Sequence, residues 1–180
     1  MQIETLCSIF PEQSHEALAK LLDDEDFLKH LPSLILRRIR ENKKIFPIDK
    51  EVLILLFSEA EFAEEGEIMK VSSLFRKYFS YEKRFLPLIV EFLDKTTELK
   101  RSGRLTERVY RQLGEDFASR CLFSLSFFYD SLKKLYERYG APHPNFYRTA
   151  GKRTFEVIGE ERIAKNFENW EDYLREKAFI

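Results

Sequence analysis

The stretch from Phe117 to Tyr129, FASRCLFSLSFFY, constrains the fold more than any other part of this chain. When it is placed on a helix, its apolar side chains occupy nearly the whole circumference instead of one face. A helix that is apolar all round must be buried, because any side turned to water would be unfavourable. The stretch therefore predicts an all-α protein in which one helix is surrounded by others.

The segment of about 107–139 is predicted to be this central helix. Thr106 is suited to cap its start, and Gly140 is suited to end it. Apolar residues recur through the segment at spacings of three and four, which places them on one inner stripe. The expected stripe consists of Leu113, Phe117, Cys121, Leu125, Phe128, Leu132, Leu135 and Tyr139.

Helical spacing recurs along the rest of the chain, whereas the alternation typical of a β-strand is hard to find. We therefore expect a bundle of about seven to nine helices in a single domain, 1–180. Gly66 is expected to end one helix. If an N-terminal helical subdomain exists, its boundary is expected at Gly66 or at Gly103, which would make it 1–66 or 1–103.

The charges of the chain are almost balanced, with 30 Lys and Arg against 31 Asp and Glu. Such balance argues against a surface built throughout for nucleic acid or for an anionic membrane. No apolar run approaches the roughly 18 residues that a membrane span needs, and the start of the chain lacks the features of a secretory signal. We therefore expect a cytoplasmic protein without membrane contact. Abundant Lys, Glu and Arg with few Asn and Gln would suit a thermophile.

Motifs for catalysis, metal binding and cofactor binding are missing from the sequence. The two cysteines and three histidines lack the paired spacings of zinc and di-iron sites. Nucleophile-elbow and P-loop motifs are missing too. Cys121 lies in the most apolar stretch and is expected to be a buried free thiol. We expect no metal, cofactor or catalytic residue; an enzyme would need His15, His30 or His143 to meet an acid or a thiol in a cleft.

Four cations are candidates for binding a ligand or an anion. Arg120 interrupts the apolar stretch, and a buried guanidinium without a partner would be very unfavourable. It is expected to reach the surface, to pair with an acid such as Asp116, or to face a cavity that holds an anion. The other three, Arg148, Lys152 and Arg153, lie near the start of a later helix. They suit an anion, but a solvated helix face is the favoured interpretation.

A further group of cations surrounds Gly103. A glycine turn flanked by arginines suits phosphate binding, because guanidinium groups donate hydrogen bonds in pairs. This function requires that the arginines share one exposed face. No exposed aromatic residues are interleaved with them, as a single-strand platform would need, so nucleic-acid binding is not the favoured function. The candidate patch consists of Arg101, Arg104, Arg108 and Arg111, with Lys100 beside them and Glu98 and Glu107 as nearby acids.

The C-terminal third contains a series of Gly, Pro and aromatic residues at defined spacings. The series consists of Gly140, Pro142, Tyr147, Gly151, Trp170 and Tyr173. It resembles the end of bacterial globins, in which a helix runs into a glycine, a proline-containing loop, a tyrosine and a second glycine before the last helix. The haem-binding histidine of that family falls at Tyr136. The resemblance implies a globin-like sensor that has lost haem or binds it unusually.

The missing catalytic motifs favour a non-enzymatic binding or regulatory domain. We expect it to act through contacts with a protein partner, which is either another protein or a second copy of the chain. This function requires an exposed apolar patch or a symmetric interface. Two alternatives stay open: nucleic-acid binding through the patch around Gly103, and a ligand-binding sensor. The sensor requires an enclosed aromatic-lined cavity, for which Arg120 or Tyr136 would be the gate.

Overall fold

The computed structural model describes residues 3–42, 53, 56–80 and 89–179. Within these residues every regular element is a helix, which confirms the all-α prediction, and ten helices are present instead of seven to nine. None of the described helices combines the length and the apolar character that a membrane crossing needs. The helices are α1 (Ile3–Ile9), α2 (His15–Leu21), α3 (Glu25–Asn42), α4 (Glu65–Ser80), α5 (Ile89–Arg101), α6 (Glu107–Phe127), α7 (Tyr129–Tyr139), α8 (Pro144–Val157), α9 (Glu161–Lys165) and α10 (Phe167–Phe179).

The chain divides into two compact units. The first consists of Met1–Glu82 together with Tyr173–Ile180, and the second is Lys83–Asp172. The single domain expected over residues 1–180 stays a prediction. Because α5, the turn that follows it, α6, α7 and α8 all belong to the second unit, this unit contains every residue that the sequence marked as a candidate for binding.

In the first unit, apolar side chains from each of its N-terminal helices are buried. The Tyr173 hydroxyl donates a hydrogen bond to the Leu56 carbonyl oxygen, and burial raises the pKa of this phenol. Gly66 lies in the first turn of α4 and does not end a helix, so that prediction is wrong. Turns at residues 58–59 and 61–62 precede α4. Buried residues from α1 to α4 include Leu6, Leu18, Leu31, Ile35, Val71 and Phe75.

In the second unit, α6 is the buried helix that the sequence predicted. Every residue from Phe117 to Phe128 is buried except Arg120, which is half-buried. The Phe92 ring of α5 stacks on the Phe117 ring with centroids 4.9 Å apart. Ser126 donates a hydrogen bond to the Leu122 carbonyl oxygen at 2.8 Å, so this buried hydroxyl is satisfied within the helix.

Two glycines let α6 and α8 approach closely. A Cβ atom placed on Gly151 would lie 2.7 Å from the Cβ of Cys121, and one placed on Gly114 would lie 2.8 Å from Ile158. Gly114, in the first half of α6, therefore lies beside Ile158 at the end of α8, whereas Cys121, later in α6, lies beside Gly151 in the middle of α8. This order shows that the two helices run antiparallel. Gly is needed at position 151 because there is no room for a side chain.

The central segment of about 107–139 is two helices and not one. Phe128 separates α6 from α7, with φ −127° and ψ 28°, although no Gly or Pro marks the break. Phe127 and Phe128, which are consecutive, are both buried. The inner stripe continues past the break, since Leu132 is buried and Leu135 is half-buried. Tyr139, expected on that stripe, is 75% exposed, so this prediction is wrong.

Candidate functional site

The hairpin between α5 and α6 carries the candidate nucleic-acid patch. Gly103 makes the turn with φ 67°, a conformation that favours glycine. Thr106 then caps α6 by accepting a hydrogen bond from the Val109 backbone N–H at 3.2 Å, as the sequence predicted. The geometry of this turn is therefore determined by the glycine at position 103 and by the Thr106 cap. We call its five cations the basic hairpin: Lys100, Arg101, Arg104, Arg108 and Arg111.

All five cations of the basic hairpin are exposed. None of them forms an ion pair with another described residue. Residues 100–111 contain these five cations and one acid, Glu107, so their net charge is +4 in a chain of net charge −1. Arg108 and Arg111 are three residues apart, which places them side by side on α6. The exposure that nucleic-acid binding requires is therefore present for all four arginines.

Three cations of the basic hairpin also have a structural role. Lys100 and Arg101 lie in the last turn of α5. The Arg111 Nη2 atom lies 3.4 Å from the position that a Cβ on Gly159 would take, just after the end of α8. A cation stabilises the C-terminal end of a helix through the helix dipole. Arg104 and Arg108 have no such contact with the described residues.

Arg120 is paired and does not face a large cavity. Its Nε atom lies 3.2 Å from the Asp116 carboxylate, one turn earlier on α6. The adjacent cavity, which Phe92 and Phe117 help to line, measures about 20 Å³. That volume holds about one water molecule, whereas ligand sites occupy several hundred Å³. Of the three outcomes expected for Arg120, the structure shows the pairing with Asp116.

Arg148 is held in an ion pair inside the second unit. Its Nε and Nη2 atoms donate to the two carboxylate oxygens of Glu171 at 2.8 and 2.7 Å, and Nη1 donates to Asn145 at 2.6 Å. The hydrogen bonds that Arg148 donates to the Glu171 carboxylate raise the pKa of Arg148. Glu171 is only 2% exposed, so the pair is anchored in the core. Of the other two predicted anion ligands, Lys152 is half-buried and Arg153 is exposed.

Four exposed aromatic side chains lie along the chain from the second half of α7 to the first turn of α8. We call Tyr136, Tyr139, His143 and Phe146 the aromatic surface. The Tyr136 ring packs edge-on against the His143 ring, with centroids 4.9 Å apart. His143 caps α8, since its Nδ1 atom accepts a hydrogen bond from the Asn145 backbone N–H at 3.1 Å. Tyr136 is 46% exposed and Phe146 is 43% exposed.

The aromatic surface was not expected from the sequence, in which Tyr136 is a candidate gate of a cavity and Tyr139 a member of the inner stripe. The signal was present as aromatic residues spaced by three, four and three positions around a loop with two prolines. Helical spacing alone predicts a shared face, but it does not tell whether that face is buried or exposed.

The thiols and histidines do not meet in the described part of the chain. Cys121 is fully buried, and burial raises the pKa of its thiol well above 9.0. His30 places Nδ1 within 2.7 Å of the Asp26 carbonyl oxygen on its own helix, and His15 is exposed. Among the described residues, no group of His, Cys, Asp and Glu side chains is arranged to hold a metal ion.

No family model, curated protein or solved structure matches this chain. The residues of the globin resemblance can still be placed in the fold. Tyr147, Gly151 and Trp170 are buried in the second unit. Tyr136, which takes the position of the haem-binding histidine, lies at the surface against His143.

Proposed function

We propose that this protein is a non-enzymatic binding domain that acts through contacts with a protein partner. The aromatic surface is the observation that supports this proposal. Tyr136, Tyr139 and Phe146 are each exposed by 43% or more. Large aromatic side chains lose little conformational entropy on binding and offer much apolar area, so they are enriched at protein interfaces and in hot spots.

The size of the aromatic surface suits the core of an interface. If each ring side chain offers roughly 200 Å², its three largest members expose on the order of 300 Å². This area is about a third of the roughly 800 Å² that each partner contributes to a typical stable interface. The remainder of an interface is a polar rim.

The proposal is tested by removing the rings and measuring what the protein binds. The variant Tyr139→Ser/Phe146→Ser removes most of the aromatic area. The control is Val157→Ser, since Val157 is 60% exposed on the same helix as Phe146 but near its other end. Each tagged protein is purified from its own cells and weighed by native mass spectrometry, which distinguishes a second copy from another protein.

We expect the unaltered protein and Val157→Ser to carry the same bound chain and the double variant to lose it. Circular dichroism should show equal helix content in all three proteins, because the changed side chains are exposed. A complex that survives in the double variant would contradict the proposal. So would an unaltered protein that is a bare monomer at micromolar concentration.

A further inference from the structure

We propose that the basic hairpin binds the phosphodiester backbone of double-stranded nucleic acid without reading its base sequence. The first support is the density of unpaired charge. The five cations are exposed, form no ion pair with a described residue, and give residues 100–111 a net charge of +4. Exposed guanidinium groups that are not used inside a protein remain free to replace the counterions of a polyanion.

The identity of the cations favours phosphate over a carboxylate surface. Four of the five are arginines. A guanidinium donates two parallel hydrogen bonds to a phosphate, whereas an ammonium group acts as a point charge. Arg104 and Arg108 are the central pair, because the structural contacts of the basic hairpin involve its other three members. Arg101 also borders an open groove with the acids Asp94 and Glu98, which offset part of its charge.

The surroundings of the basic hairpin favour a duplex over a single strand. Proteins that bind single strands stack the bases on exposed aromatic rings. The basic hairpin lies between Leu93 and Tyr136 in the sequence, and no large apolar side chain among the described residues between these two is exposed. Binding must then depend on charge and hydrogen bonds alone. A duplex carries one charge per about 1.7 Å of its axis, twice the density of one of its strands, so it is the better ligand.

The basic hairpin is separate from the aromatic surface. Arg111 lies beside Gly159, whereas Phe146 lies in the first turn of α8. Gly159 lies 13 positions after Phe146 along mostly helical chain, which corresponds to about 20 Å. Variants at one surface therefore leave the other unchanged, and the two proposals can fail independently.

The test measures binding of fluorescent 20-base-pair RNA and DNA duplexes by anisotropy over a series of salt concentrations. The test variant is Arg104→Gln/Arg108→Gln. The control is Lys134→Gln/Arg138→Gln, which removes the same charge from α7, at residues that are also exposed and outside any ion pair with a described residue. A single strand of the same length and poly-L-glutamate are the comparison ligands.

We expect the full chain to bind both duplexes with a Kd of roughly 1–100 μM, which is the range of non-specific binding. Arg104→Gln/Arg108→Gln should weaken binding about tenfold or more. Each lost phosphate contact lowers the slope of log K against log salt by about 0.9, so this variant should lower it by about 1.8. The control should change the affinity less than twofold.

Three results would overturn the proposal. The first is no detectable duplex binding at 50 mM salt. The second is an equal loss in the test variant and in the control, since that would mean that only net charge matters. The third is binding of poly-L-glutamate or of the single strand as tight as that of the duplex. Tight binding of poly-L-glutamate would assign the basic hairpin to an acidic protein instead. Tyr139→Ser/Phe146→Ser should bind the duplexes as the unaltered protein does.

Discussion

Replacing Gly151 with Ala should destabilise the protein, although alanine is the better helix former. The added Cβ would lie 2.7 Å from the Cβ of Cys121 and 3.1 Å from two ring atoms of Phe167. Ordinary contacts of this kind are 3.4–4 Å long. Because a Cβ atom is bonded directly to the backbone, no rotamer of Cys121 relieves the clash. The α6 and α8 backbones must therefore move apart at their closest point.

The size of the effect follows from two opposing terms. Overpacking a core typically costs about 1–3 kcal/mol, and a clash that needs backbone movement belongs at the upper end of this range. Exchanging Gly for Ala inside a helix contributes about 1 kcal/mol in the other direction. We therefore expect Gly151→Ala to lower the free energy of unfolding by about 1–2 kcal/mol.

Urea denaturation, monitored by tryptophan fluorescence, measures this change in the free energy of unfolding locally. Trp170 is the only tryptophan in the chain, is 0% exposed, and lies in the second unit with Gly151. Its emission therefore reports unfolding of the unit that contains the altered contact. With a slope of about 2 kcal/mol per M of urea, the midpoint should fall by roughly 0.5–1 M.

Two other glycines and one cysteine are the matched controls. Gly114→Ala should cost less, because the atom it would meet belongs to the movable Ile158 side chain. Gly66→Ala should leave helix stability unchanged or raise it, since nothing lies within 4 Å of the added methyl group. Cys121→Ala retains the Cβ and should not rescue Gly151→Ala. Equal stability of Gly151→Ala and the unaltered protein would refute the close approach of α6 and α8.

Three further predictions concern the ion pair of Arg148 with Glu171, the two buried acids Cys121 and Tyr147, and the reactivity of the two thiols. Arg148→Met leaves the buried carboxylate of Glu171 without its guanidinium partner. In the same urea titration, the free energy of unfolding should fall by about 3 kcal/mol. This is the lower end of the range for a broken buried ion pair, because Arg148 is partly exposed. Burial raises the pKa of the Cys121 thiol above 9.0 and that of the Tyr147 phenol above 10.0, so both stay neutral in the folded protein while the unfolded chain ionises. The free energy of unfolding should therefore be retained below about pH 9 and fall above it, by up to about 1.4 kcal/mol per pH unit from Cys121, and Cys121→Ala should reduce this slope. A thiol reagent should modify the half-buried Cys7 rapidly and the fully buried Cys121 only as the protein opens.

The fold class could be predicted because it depends on a strong local signal. The apolar circumference of residues 117–129 leaves few solutions other than a surrounded helix, and the structure confirms it. The break at Phe128 could not be predicted, because it lacks the Gly or Pro that usually ends a helix. Helical spacing also does not show where burial ends, since Leu132 is buried whereas Tyr139, about two turns later on the same stripe, is exposed.

Some contacts of the candidate site residues could likewise be predicted from the sequence, and others could not. The pair of Asp116 and Arg120 spans one helical turn, so sequence spacing was enough to suggest it. The pair of Arg148 and Glu171 spans 23 residues and depends on how α8 packs against α10, which spacing does not reveal. The exposure of the basic hairpin was predictable, because charged residues around a glycine turn are solvated unless another element covers them.

The closest point of α6 and α8 also determines how the two proposed surfaces can act together. The basic hairpin lies at the start of α6 and the aromatic surface at the start of α8, and the antiparallel packing through Gly151 holds these helix ends apart. A duplex on one surface and a protein on the other would not touch the same residues. Sites so separated with no shared partner give additive effects within a few tenths of a kcal/mol. If the affinity for the duplex is found to depend on whether the protein partner is bound, the α6–α8 packing must change on binding. Gly151→Ala, which disturbs this packing, should then alter that dependence.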